Sequence, residues 1–377
     1  MRILYIITEL DLGGAEVLLV NLANKMLACG HEVEIVALGA INAHAQTLDK
    51  RIQVHLVRMT KDIRGFLKAY RLCWSLARRS RWDVVHAHMF HANVIARLAK
   101  PLFRGARLIS TAHSNNEGGG ARMLVYRLTD FLSDINTNVS QGALDRYLNG
   151  RFFSRRKSTC VYNFVDTKLY QADAESRRLM RQQQAIEADE FVLLNVGRHV
   201  PEKHQSLLLN AFAVVARRHP RVRLLLVGDG PERAHLEKIA GELGIAARVR
   251  FCGSQRNPAD WYKAADLFVL TSRIEGFGLV LAEAMASSCP VITTDVGGCA
   301  EVVGDAGTKV PSDSVDALAA AIESHIGMDS GQRMALGALQ RSRIVQLFDI
   351  DTIVRQWQAL YAHGLAGVPA IDGKKKQ

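Results

Sequence analysis

The sequence predicts an α/β protein made of two Rossmann-like, doubly wound domains in tandem, with their strand ends facing a central cleft. Three observations carry this reading. Short apolar runs alternate with longer stretches of helical period along the chain, the pattern of parallel strands joined by crossover helices. The alternation runs through once, is interrupted by a polar stretch, and starts again near residue 191. At 377 residues, 48% of them apolar and 23% charged, the chain is also too long for one ordinary core.

In the first series, strands are expected at residues 3–8, 33–38, 52–57, 83–88, 107–112 and 135–139. They read as continuous apolar runs because a parallel sheet is covered on both faces. A helix with Leu18, Leu22 and Met26 on one face separates the first two strands. The second series places strands at 191–196, 223–227, 249–252, 267–270 and 291–294, each followed by a helical segment. The charge-dense stretch 166–190 is expected to be the linker, giving an N-terminal domain over 1–165 and a C-terminal domain over 166–349. Residues 350–377 follow as a final helix over 350–362, with either domain to pack against, and a disordered tail around Lys374, Lys375 and Lys376.

Composition narrows the function classes. No stretch approaches the roughly 18 to 20 apolar residues of a membrane-spanning helix, and residues 1–10 lack the apolar core of a secretory signal. The six cysteines, Cys29, Cys73, Cys160, Cys252, Cys289 and Cys299, form no C-x-x-C pair and read as reduced core thiols in a cytosol. The net charge of +11 is divided unevenly: residues 1–170 hold 24 Lys and Arg against 13 Asp and Glu, and the remainder holds 24 of each. Basic residues at 58–81, 97–107 and 151–157 are interleaved with apolar ones such as Phe66, Leu67, Tyr70, Leu72 and Trp74. Such a half suits an anionic lipid surface or a nucleic acid.

The richest segment runs from Ser272 to Ala286. An apolar strand ends at Leu270, a loop holds Glu275, Gly276, Phe277 and Gly278, and a helix opens near Leu279 with Glu283 one turn in. Amides at a helix start attract phosphate, and Gly276 and Gly278 allow close backbone approach. Glu275 and Glu283 are expected to project two carboxylates toward one ligand, suited to accepting hydrogen bonds from vicinal hydroxyls. Gly197 and Arg198 follow another apolar strand, and Lys203 comes five residues later, so two cations stand at a strand end where a departing diphosphate would gain negative charge.

Two glutamates seven residues apart around a G-F-G loop resemble the signature of retaining GT-B glycosyltransferases, glycosyltransferase family four in particular. The resemblance implies that Glu275 holds the transferred sugar, that Glu283 holds the ribose, and that Arg198 and Lys203 hold the donor diphosphate. Gly228 and Gly253, each after a strand, resemble turns that line the nucleotide, and Asp295, Gly297, Gly298 and Glu301 complete that pattern. Gly197, Gly276, Phe277, Gly278 and Leu279 fall among the implied donor contacts. The chain departs from the family form at His204 and Phe164, where glycine is usual.

In the first half, Gly13, Gly14, Ala15 and Glu16 lie between strand and helix, where a glycine loop can touch phosphate. Lacking G-x-G-x-x-G, the loop argues against a dehydrogenase. It resembles the G-G-A-E loop of family-four enzymes making bacterial polysaccharides and glycolipids, which assigns Gly14 to the donor and Gly13, Gly14, His88 and Ser140 to the acceptor. The resemblance also sets His113, after the fifth strand, over the donor sugar. His86, His88 and His91 invite a metal reading, but no carboxylate stands behind them, and neither metal nor other cofactor is expected. Asp349 and Asp351 read as a helix start.

The resulting expectation is a retaining transfer of a hexose or N-acetylhexosamine from a nucleotide diphosphate sugar, UDP by resemblance, to a lipid-linked sugar acceptor. The basic half would give peripheral contact with an anionic membrane at the cytoplasmic face, with no nucleic-acid partner. A soluble acceptor or a GT-B phosphorylase is the alternative. A glycoside hydrolase would use two carboxylates but needs no Arg–Lys diphosphate site.

Overall fold

A computed structural model describes residues 1–11, 13–60, 62–115, 117–255 and 258–367. Leu12 of the glycine loop and the expected disordered tail lie outside the described residues. The chain divides into two compact units, Met1–Asn163 with Asp351–Gln377, and Phe164–Ile350.

The N-terminal domain runs β1 (Arg2–Ile7), α1 (Gly14–Ala28), β2 (Glu32–Ala37), β3 (Gln53–Leu56), α2 (Ile63–Arg79), β4 (Val84–His88), α3 (Phe90–Ala99), β5 (Arg107–Ala112), α4 (Gly120–Thr129), β6 (Ile135–Asn138), α5 (Gln141–Asn149) and β7 (Ser158–Cys160). Its seven strands are all parallel in the order β3-β2-β1-β4-β5-β6-β7. Right-handed crossovers therefore put α2 to α5 on one face and α1 on the other. Leu4, Ile6, Val85 and Ala87 point into the α2–α3 side of the core, with Ala69, Cys73 and Leu76 of α2. Asp62 starts α2 by accepting from the Gly65 N–H at 2.8 Å.

The C-terminal domain contains α6 (Ala174–Gln183), β8 (Phe191–Val196), α7 (Gln205–Arg218), β9 (Val222–Val227), α8 (Arg233–Glu242), β10 (Val249–Phe251), α9 (Ala259–Ala264), β11 (Leu267–Leu270), α10 (Leu279–Ala286), β12 (Val291–Thr294), α11 (Cys299–Val303), β13 (Thr308–Val310), α12 (Val315–Ile326) and α13 (Ser330–Leu347). Its parallel sheet has the order β10-β9-β8-β11-β12-β13. Strand order reverses between β1 and β4 in the first sheet and between β8 and β11 in the second, and ligands of open α/β sheets bind at the carboxyl edge of such switch points.

Several expectations need correction. The stretch expected to be a linker holds α6 and belongs to the C-terminal domain: Arg177 bonds Asp266 at 2.6 Å and the carbonyls of Lys263, Ala264 and Ala265, while Arg181 reaches Asp266 at 3.2 Å. The first boundary falls at 163/164 rather than 165/166, because the Val165 N–H donates to Phe348 and its carbonyl accepts from Ile350. The second falls at 350/351 rather than 349/350. Cys29 is exposed and Cys252 half-buried, so the thiols are not all in the core. Phe66, Tyr70 and Leu72 pack against the core of the N-terminal domain, leaving Leu67 and Trp74 exposed.

The last helix, α14 (Ile350–His363), joins the N-terminal domain. Lys25 of α1 pairs with Asp351 at 2.7 Å, Arg107 of β5 bonds the carbonyl of Leu360 at 3.2 Å, and the Tyr361 hydroxyl lies 2.7 Å from His86 Nδ1 and 3.1 Å from the Tyr5 hydroxyl. The crossovers after β3, β4, β5 and β6 all run on the opposite face. Trp357 and Tyr361 thus cover β4 and β5 where α1 does not reach.

Candidate active site

Residues 197–203 turn over the carboxyl edge of the C-terminal sheet as β8 ends. Pro201 opens a short 3-10 turn that delivers Lys203, and His204 closes it at φ 49, ψ 42. That is the left-handed region, which costs a non-glycine residue about 1–2 kcal/mol. His204 thus adopts a turn that glycine makes without strain. The Lys203 stem lies along Gly197, where an added Cβ would sit 3.7 Å from its Cδ and Cε.

The Lys203 ammonium pairs with Oε1 of Glu275, and the Ser272 hydroxyl donates to the same oxygen at 2.8 Å. The two loops are joined further: the Thr271 hydroxyl donates to the Lys203 carbonyl at 3.1 Å, and the Arg273 N–H to the Glu202 carbonyl at 2.8 Å. Arg198 is exposed and makes no side-chain hydrogen bond or ion pair among the described residues. Gly228 sits at φ 137, and a Cβ there would collide with the Gly197 carbonyl; its N–H donates to the Gly253 carbonyl at 2.9 Å. Gly278, at φ 83, turns the loop into α10, whose first residue is Leu279. Gly276 precedes that turn.

Glu275 and Glu283, expected to project toward one ligand, have different protein partners. Glu283 is buried on α10, accepts from the Tyr262 hydroxyl at 2.7 Å and also bonds Tyr170. Burial pushes its carboxyl up to about 7, against the lowering effect of the two phenols. Sequence reasoning missed Tyr170 and Tyr262, which carry no motif and look like ordinary core aromatics. The Phe277 ring is buried against Phe348, with centroids 5.4 Å apart, so its side chain packs in the core of the domain and leaves only its backbone to the loop.

In the N-terminal domain, Gly13 caps α1 and Gly14 begins it with open space beside it. A Cβ on Gly13 would strike the Glu16 carboxylate, which therefore lies over the positive end of the helix where a phosphate contact was expected. Ser140, expected at the acceptor, is wholly buried and caps α5 by accepting from Ala143 N–H at 3.3 Å. His86 bonds Tyr361 and Thr111, each at 2.7 Å, so both its ring nitrogens are occupied. His88 Nδ1 instead lies 2.9 Å from His113 Nε2. Among the described residues, no group of three or more His, Cys, Asp or Glu side chains is arranged to hold a metal ion.

Two parallel-sheet domains, one presenting cations and a carboxylate at a glycine-walled switch point, define the GT-B class of glycosyltransferases. Residues 12–169 match the family model described as Glycosyltransferase Family 4, and residues 176–338 the one described as Glycosyl transferases group 1. The chain belongs to glycosyltransferase family four. It is 27% identical over 93% of its length, and 94% of the relative's, to N-acetyl-alpha-D-glucosaminyl L-malate synthase of Bacillus anthracis. It is 31% identical over 65% of its length, and 68% of the relative's, to the GDP-mannose-dependent alpha-(1-6)-phosphatidylinositol monomannoside mannosyltransferase of Mycolicibacterium smegmatis. Among solved structures, HepE of Anabaena in complex with UDP superposes with a TM-score of 0.82, at 24% identity over 95% of this chain and 98% of that one. Sucrose-phosphate synthase of Thermosynechococcus elongatus does so at 0.84, with 23% identity over 96% and 98%.

Proposed function

We infer that the protein transfers a hexose or N-acetylhexosamine from a UDP-sugar, with retention of anomeric configuration, to a lipid-linked sugar acceptor. The observation that carries the donor half is the cationic edge of the C-terminal sheet, where exposed Arg198 and the Lys203–Glu275 pair stand beside the Gly197 and Gly228 turns. As the glycosidic bond to phosphate breaks, charge grows on the leaving diphosphate, and fixed cations stabilise it. Glu275 holds the sugar. The acceptor hydroxyl attacks on the face from which the diphosphate departs and gives its proton to a diphosphate oxygen, so no side-chain base takes part. Gly13, Gly14 and His88 of the N-terminal domain are the proposed acceptor side. The HepE structure with UDP and a relative that uses GDP-mannose support a nucleotide-sugar donor.

The lipid-linked acceptor is supported by the outer face of α2. Ile63, Leu67 and Trp74 are exposed along one stripe, beside Arg64, Lys68, Arg71, Arg78 and Arg79, and the helix holds no acidic residue. On the same side of the sheet, α4 and the turn after it expose Leu124, Leu128 and Phe131. Basic and apolar groups on one helix layer suit the interface of an anionic membrane, each cation adding about 1 kcal/mol near the surface. No helix among the described residues is long and apolar enough to cross a membrane.

Incubation with a panel of UDP-sugars and polyprenyl-diphosphate-linked sugars, with the product anomer read by NMR, tests the reaction. An inverted product or no transfer from any nucleotide sugar would overturn it. Vesicle sedimentation with and without anionic lipid tests the acceptor setting; binding that is absent or indifferent to salt removes it.

A further inference from the structure

At the amino edge of the N-terminal sheet, away from its carboxyl edge, the fold leaves a cavity of about 470 Å³. Two buried rings line it. Trp82, two residues before β4, donates its indole N–H to the Leu76 carbonyl at 3.1 Å, which fixes the ring against the end of α2. Phe103 follows a short 3-10 turn at Lys100–Leu102.

Four arginines complete the lining, and three separate segments supply them. Arg78 and Arg79 come from the last turn of α2, Arg81 from the link to β4, and Arg104 from the turn before β5. No Asp or Glu lines the cavity. All four side chains are exposed, and none makes a hydrogen bond or ion pair among the described residues; Arg78 stacks over the Trp74 ring, 4.7 Å from its centroid. The Arg81 guanidinium lies along Gly105, where an added Cβ would sit 3.7 Å from it, and Gly105 at φ 82 makes the turn that follows Arg104.

This charge exceeds what the helix uses. Arg78 and Arg79 offset the negative end of α2, but Arg81 and Arg104 lie on other segments and do not. Four like charges around one cavity repel one another, and a bound anion removes that repulsion. A phosphate ester presents three tetrahedrally disposed oxygens and nearly two charges, so it can accept from several guanidinium forks at once, whereas a planar carboxylate meets fewer. The Trp82 and Phe103 rings offer an apolar surface to the organic part of such an ester.

We propose that this cavity is an anion site for a phosphate-bearing ligand, separate from the sites proposed for donor and acceptor and independent of the transferase reading. Trp82 and His88, on either side of β4, stand about 20 Å apart at roughly 3.3 Å per residue, so a ligand here occupies the edge of the domain opposite the proposed acceptor side. An anionic lipid headgroup and a soluble phosphate ester present the same chemistry to the four arginines.

The test uses the full chain, UDP at saturation to occupy the C-terminal domain, and inorganic pyrophosphate as the calorimetric probe. Arg81→Gln with Arg104→Gln removes two guanidiniums from the cavity. Arg64→Gln with Lys68→Gln removes equal charge from the other end of α2 and is the control. Pyrophosphate affinity should fall at least about tenfold in the cavity variant and less than about twofold in the control. Equal losses in both, no loss in either, or no binding by the wild type overturns the site. Sedimentation with vesicles of phosphatidylglycerol in phosphatidylcholine separates the two sources. If the cavity variant also loses vesicle binding well beyond the control, the occupant is a lipid headgroup; if both lose it equally while only the cavity variant loses pyrophosphate, the occupant is a soluble phosphate ester. If UDP does not bind, the donor reading fails, and a pyrophosphate loss confined to the cavity variant still supports this site.

Discussion

Lys203 and Glu275, 72 positions apart in the chain, form an ion pair that ties the turn after β8 to the loop after β11. Both side chains are largely shielded, at 21% and 12% exposure, so the pair is screened less than a surface one. On the proposed reading, an incoming diphosphate competes with Glu275 for the ammonium. Glu275→Ala should therefore tighten binding of UDP alone by about three- to tenfold while lowering turnover at least about a hundredfold. Calorimetry with UDP and steady-state rates check this, and weaker UDP binding with normal turnover would contradict it.

Arg198, with no side-chain partner among the described residues, should behave in the opposite way. Arg198→Ala should weaken UDP binding about tenfold to a hundredfold, the worth of a charged hydrogen bond, and reduce turnover by at least as much. Arg198→Lys should recover only part of the loss, because a point charge does not reproduce the guanidinium fork. Equal affinities in all three proteins would dissociate Arg198 from the diphosphate.

His204 stands at φ 49 without being glycine. His204→Gly removes a left-handed strain of about 1–2 kcal/mol but frees the unfolded chain by about 0.5–1 kcal/mol, so urea unfolding should find it neutral to slightly stabilised. His204→Val, β-branched at the same φ, should lose more than about 1 kcal/mol. A marked loss in the glycine variant would show that the His204 ring, 3.7 Å from Asp313, matters more than its backbone.

Glu283 gives a pH signature. Its folded pKa of about 7 lies above the ordinary 4.5, so the native state holds a proton that the unfolded chain releases between those values. Its contribution to stability is complete below about pH 4.5 and is lost as pH rises through about 7, by on the order of 3 kcal/mol at most. Glu283→Gln lacks this loss. The stability of the variant relative to wild type should therefore rise between pH 5 and pH 8 in urea unfolding, and a gap that narrows or stays flat would refute the assignment.

What the sequence made legible follows physical lines. Strands buried on both faces announce themselves as apolar runs, so 107–112, 191–196, 267–270 and 291–294 are legible from end to end. The edge strands β7, Ser158–Cys160, and β13, Thr308–Val310, are three residues long and mostly polar, and they left no such trace. Helix α6 reads as a linker because its attachment is ionic, through Arg177 and Arg181, and carries little apolar period. At the candidate site, the loops that carry Lys203 and Glu275 are legible as strand-end loops, but the ion pair that joins them is not. Tyr170 and Tyr262 leave no trace either, since a buried phenol reads as an ordinary core aromatic until the fold brings it to Glu283.

The return of α14 to the N-terminal domain has a consequence for biosynthesis. The Phe164–Ile350 unit is continuous in sequence and can fold as soon as its last residues leave the ribosome. The N-terminal sheet is translated first, but β4 and β5 stay uncovered beneath the missing Trp357 and Tyr361 until the whole Phe164–Ile350 unit has been made. The domain that begins first is finished last. A nascent chain stalled anywhere short of α14 would present that bare sheet face to chaperones and proteases.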